Sequence, residues 1–135
     1  MKLFAMYDAS GIEIEGTVDA LRQFSREIQV CDGTCRIDLP NFTGTDERGL
    51  SYAKTITVLL KDGLVNIAVS DGGIVISGSK EKLLILVQNI LFLADGKEGS
   101  PNNNSDHIHI EYVQDDFPFL ADTALPLIVT KQQEV

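Results

Sequence analysis

The sequence predicts an α+β fold in which two tandem strand–strand–helix–strand–strand units form a largely antiparallel sheet with two helices on one face. Three observations lead there. A gapless internal match relates the two halves, short apolar runs alternate with period two, and each half holds one run of helical period.

The internal match comes first because it sets the frame for the rest. GIEIEGTVDALRQFSREI (Gly11 to Ile28) aligns on GIVISGSKEKLLILVQNI (Gly73 to Ile90) at an offset of 62, with six of 18 positions identical. Average composition would give about one identity. The halves 1–63 and 64–135 therefore read as diverged copies within a single domain, 1–135, a length close to the commonest domain size.

Each element follows from its residues. Leu3-x-Ala5-x-Tyr7 and Val65-x-Ile67-x-Val69 alternate as half-buried strands, and the turns Asp8 to Gly11 and Asp71 to Gly73 fold each into a hairpin with the following Ile-x-Ile strand. Gly16 and Gly78 let the chain leave the sheet. Thr17 and Ser79 then supply N-cap oxygens, with Asp19 and Glu81 in the first helical turn. Leu21, Phe24 and Ile28 recur at helical spacing, as do Leu83, Leu86 and Ile90. Downstream, Arg36-Ile-Asp38-Leu39 corresponds to His107-Ile-His109-Ile110, and Thr55 to Leu60 corresponds loosely to Leu125 to Thr130. Longer loops are expected at Pro40 to Ala53, Asp95 to Asp106 and Gln114 to Thr123. One sheet of about eight strands would leave a wet face carrying Glu13, Glu15, Arg36, Asp38, Asn66, Ser77, His107, His109 and Glu111.

The helices differ in character. Arg22, Gln23, Arg26, Glu27 and Gln29 give the first a polar side, whereas the matching positions of the second are Leu84, Ile85, Gln88, Asn89 and Leu91, with Phe92 beyond. A helix apolar nearly all round buries more than one face. It either lies centrally under loops and the first helix, or presents Leu84, Ile85, Leu91 and Phe92 as a homodimer seam.

Charge narrows the partners. The net charge is −9 and the pI is about 4.5, which disfavours a nucleic-acid backbone and an anionic membrane surface. MKLFAMYDAS lacks the apolar core of a signal peptide, and the apolar run Leu83 to Ala94 is too short to span a bilayer. A cytoplasmic location is expected. Cys31 and Cys35 are the only cysteines and read as reduced thiols rather than a disulfide framework.

Chemistry-bearing residues are few. On a strand, His107, His109 and Glu111 project to one face, and two imidazoles with a carboxylate suit a divalent metal such as zinc or iron. Asp38, Glu13 or water would complete that set; the competing reading is a polar face that contacts solvent or a partner. Cys35, Ser10 or Ser77 paired with His107 lies in no nucleophile motif, and the glycines of Asp71-Gly-Gly and Lys61-Asp-Gly are hairpin turns without phosphate-loop spacing. The sequence calls for no cofactor, and the alternative of a small-molecule or metal-binding protein rests on the His107/His109/Glu111 face.

The stretch SDHIHIEYVQDDFPFLADTALPLIVTK resembles the end of immunity protein 32, a bacterial toxin-immunity family. The matching elements are the strand His107-Ile-His109-Ile-Glu111, the spacer Asp115 to Asp122, the closing strand Leu125 to Thr130, and the helix start Gly78-Ser79-Lys-Glu81-Lys-Leu83. The resemblance spans about Leu64 to Lys131. The first half is a degenerate echo in which Arg36 and Asp38 replace the histidines, and the chain is a double unit where the family pattern is a single one. The resemblance implies a non-enzymatic antidote that binds and neutralises a protein toxin, with His107, His109, Glu111, Arg36 and Asp38 as candidate contacts. An acidic antidote would suit a basic toxin.

Overall fold

The computed structural model describes residues 2–40, 42–96, 107–114 and 118–132. Most of the expected loop from 95 to 106, and part of that from 114 to 123, lie outside these residues. Among the described residues nine strands and two helices follow in the order β1 (Leu3–Asp8), β2 (Gly11–Gly16), α1 (Val18–Val30), β3 (Thr34–Asp38), β4 (Ser51–Tyr52), β5 (Thr55–Leu60), β6 (Asn66–Ser70), β7 (Gly73–Gly78), α2 (Lys80–Asp95), β8 (His107–Ile110) and β9 (Leu127–Lys131).

Local chemistry sets the boundaries. Asp8 Oδ1 accepts hydrogen bonds from the backbone N–H groups of Ser10 (2.8 Å) and Gly11 (3.1 Å), closing the β1–β2 turn. At the β6–β7 turn Asp71 and Gly72 both take positive φ, 51° and 76°, as the tightest hairpins require. Thr17 Oγ1 accepts from Ala20 N–H and Ser79 Oγ from Lys82 N–H, each at 3.2 Å, so both helices start on a side-chain cap. Neither helix has a basic residue in its last turn. Lys80 Nζ instead donates to the carbonyls of Gln29 in the last turn of α1 and of Cys31 just beyond it, and the buried Lys131 Nζ donates to Gly96 O at 3.0 Å beyond α2. The negative ends of the helix dipoles thus meet cations brought by other elements.

Sheet topology departs from the expectation of one largely antiparallel sheet with both helices on one face. There are two mixed sheets, β4-β1-β2-β9-β8 and β3-β5-β7-β6. At the centre of each lies a parallel pair: β2 beside β9 (Ile12 opposite Leu127) and β5 beside β7 (Ile56 opposite Ile74). The other pairings are antiparallel. The cause is where each helix leads. α1 carries the chain from β2 in the five-stranded sheet to β3 in the four-stranded one, and α2 carries it from β7 back to β8. Neither half closes its own sheet; each hairpin is completed by strands of the other half. Period-two alternation reports which face of a strand is buried and says nothing of its neighbour.

Both sheets and both helices share one hydrophobic cluster. α1 contributes Ala20, Leu21, Phe24 and Ile28, and α2 contributes Leu83, Leu86, Val87, Ile90, Leu93 and Ala94. The helices pack on each other in antiparallel fashion, with Arg22 of α1 bonded to Asp95 at the far end of α2 at 2.8 Å and Lys80 reaching the end of α1. Loops seal the edges: Ala53 N–H bonds Ala5 O, and the 119–125 segment bonds Val65 and Ile67.

Candidate protein-binding face

Strand alternation builds the most elaborated surface on the outer side of the five-stranded sheet. Ile12 and Ile14 of β2 point into the core, so Glu13 and Glu15 point out. Register then lays side chains in rows. Tyr52, Met6, Glu13, Ile128 and His109 form one row across five strands, and Phe4, Glu15, Thr130 and His107 form the next.

The loop between β3 and β4 folds back over this face. Asp46 closes a tight turn, with Oδ1 accepting from the N–H groups of Arg48 and Leu50 (both 2.9 Å). That turn aims Arg48 at Glu13 in a fork, Nη1 to Oε2 at 2.9 Å and Nη2 to Oε1 at 2.8 Å, while Nη2 also reaches Asp46 at 2.9 Å. Phe42 stacks on Phe4 with ring centroids 5.5 Å apart and lies 5.1 Å from Tyr52, giving an aromatic edge. Phe42 itself is 45% exposed.

The two glutamates are driven apart electrostatically. The Arg48 fork holds the Glu13 carboxyl below its ordinary range, against a smaller opposing effect of burial. Burial, reinforced by the hydrogen bond and charge of Glu13, pushes Glu15 up. Arg48 is held firmly protonated by Glu13 and Asp46. Glu15 has a weaker companion, Gln132 Nε2 at 3.2 Å.

Of the residues expected from sequence, His107 and His109 lie on this sheet, exposed on the edge strand β8, with rings 5.1 Å apart and nearly perpendicular at 75°. Glu111 follows just past the strand and is exposed. Among the described residues no group of three His, Cys, Asp or Glu side chains is arranged to hold a metal ion, so these three do not converge as a ligand set. Arg36 and Asp38 sit elsewhere. They pair with each other at 3.0 Å on β3, the edge of the four-stranded sheet. The five candidate contacts are therefore divided between the edges of two sheets, strand 36–38 in one and strand 107–109 in the other. Glu13 and Ser77, expected to be wet, are 8% and 7% exposed, Glu13 because Arg48 covers it. On α2, Phe92 is 80% and Leu84 36% exposed, while Ile85 and Leu91 are half-buried. Cys31 and Cys35 are free thiols; burial, followed by the neighbouring Cys35, pushes Cys31 up to about 11. Sequence reasoning missed Arg48 and Phe42 as parts of a site. Both lie in an irregular loop, where no periodicity assigns a face.

Fold and face together define a two-sheet, two-helix α+β protein with a polar, aromatic-edged sheet face. Residues 73–132 match the family model described as immunity protein 32. The matched segment begins at β7 and ends one residue past β9, and it contains His107, His109 and Glu111; Glu13, Glu15, Phe42 and Arg48 fall outside it. No curated protein and no solved structure matches the chain. Among the described residues no helix is long and apolar enough to cross a membrane.

Proposed function

We propose that this chain is an immunity-type antidote: a non-catalytic protein of the cytoplasm that binds a cognate toxin and blocks it. The carrying observation is the match of residues 73–132 to the immunity protein 32 family. The net charge of −9 and the polar, aromatic-edged sheet face support a basic toxin as the target. His107, His109 and Glu111 stand at one border of that face, where a docked partner would cover them. We read 1–63 and 64–135 as diverged copies in which the first supplies the strands that the second needs to complete its pairing. The matching helix caps at Thr17 and Ser79, and the parallel partners of β7 and β9, fit that reading.

The test is co-expression with each toxic product encoded beside this gene, scored by growth and by co-purification. One neighbour whose toxicity this chain abolishes, in a stoichiometric complex, is the expected result. Lack of protection and lack of binding across all toxic neighbours would overturn the proposal.

A further inference from the structure

The outer face of the five-stranded sheet holds a cleft of about 260 Å³ lined by Phe4, Met6, Glu15, Phe42, Tyr52 and Gln132. An adjoining cleft shares Met6, Glu15 and Tyr52 and continues to Asp46, Glu47 and Arg48. Three aromatic rings wall the first cleft, and one carboxylate lies within it. We infer that this cleft receives a single cationic side chain, an arginine or lysine, of the toxin proposed above; the inference rests on that reading for the identity of the partner.

Three features of the cleft carry the assignment. Two neighbouring carboxylates already have a partner within the chain, since Arg48 spans Glu13 and Asp46. Arg48 forks onto Glu13 and not onto Glu15, whose hydrogen-bond donor here is the amide of Gln132. Aromatic faces attract cations through their quadrupoles, and Phe4, Phe42 and Tyr52 are held together by ring contacts of 5.5 and 5.1 Å. A guanidinium in the cleft would meet a carboxylate and ring faces together, and the chain's overall negative charge would steer it in. Burial and the neighbouring Glu13 raise the proton affinity of Glu15 by more than the charge of Arg48 lowers it, and a bound cation would reverse that effect.

The inference is tested on the full-length protein by two-dimensional NMR titration with N-acetyl-arginine amide, using the neutral isostere N-acetyl-citrulline amide as control. Saturable shifts confined to Phe4, Glu15, Phe42, Tyr52 and Gln132, absent with citrulline and reduced at least tenfold in affinity by Glu15→Gln, are expected. Phe42→Ala, an exposed substitution with little consequence for folding, should weaken binding severalfold while leaving Glu15 in place. Shifts spread evenly over all acidic surfaces, or unchanged in Glu15→Gln, would overturn the inference. The same variants in the toxin co-expression assay separate the two readings. Protection that survives Glu15→Gln and Phe42→Ala undiminished sinks the cleft and keeps the antidote. Arginine binding without any neutralised toxin keeps the cleft and sinks the antidote.

Discussion

Glu13 and Glu15 stand two residues apart on one strand and have pKa values displaced in opposite directions, so the face they share has a built-in pH dependence. The folded-state pKa of Glu13 is depressed below its ordinary 4.5 by Arg48. Its stabilising contribution is present above that value and is lost as pH falls through the folded pKa. Glu15 is raised above 4.5. Its favourable contribution is full below 4.5 and disappears as pH rises through the folded pKa. At pH 7 the first glutamate supports the fold and the second opposes it. Thermal denaturation should therefore show Glu15→Gln melting above wild type at pH 7, with the gain vanishing below pH 4.5. Arg48→Ala should melt below wild type at pH 7, reflecting a loss of about 1–2 kcal/mol of stability, at the modest end because the guanidinium is half exposed. Equal effects of Glu15→Gln at both pH values would show that its burial carries no electrostatic cost. None of this was legible in the chain as written. Two glutamates in a period-two run signal an outward face, but the loop arginine that separates their behaviour comes from 35 residues away.

At the scale of elements, much more could be read. The offset of 62 between Gly11 to Ile28 and Gly73 to Ile90 placed two hairpins and two helix starts, because caps, turn residues and apolar period are all local. β4, two residues long, escaped notice because a pair of residues has no period. The second helix was ambiguous in sequence, and its geometry divides the ambiguous residues. Leu83, Leu86, Val87, Ile90, Leu93 and Ala94 meet the core, and Leu84 and Phe92 remain at the surface two turns apart on one side. Exposed apolar side chains in that spacing suit a partner helix. Light scattering over a concentration series is the check. A dimer that becomes a monomer in Phe92→Glu, with helix content unchanged, is the expected outcome for a helical seam. A protein monomeric at high concentration would remove the seam and leave Phe92 as an isolated surface residue.

The whole molecule is set by contacts the sequence pattern does not reach. β2 pairs with β9 from Ile12 to Leu127, near the two ends of the chain, and β5 pairs with β7 across the boundary between the halves. Parallel pairs cannot form through a tight turn, so their partners are fixed only when the core assembles. Such non-local pairing slows folding toward the millisecond-to-second range. It also ties the halves together, because the loss of either removes the central neighbour of both sheets. The chain should consequently unfold as one unit. Ile14 and Ile76 occupy matching positions in β2 and β7, and both are fully buried. Ile14→Ala and Ile76→Ala should each cost about 2–5 kcal/mol. Each should move one and the same urea transition, whether followed by far-UV circular dichroism, which reports both helices, or by tyrosine fluorescence, weighted toward Tyr7 and Tyr52 of the first half. Two transitions, each sensitive to only one of the substitutions, would mean that the halves are independently stable and that the crossed pairing contributes little to holding them together.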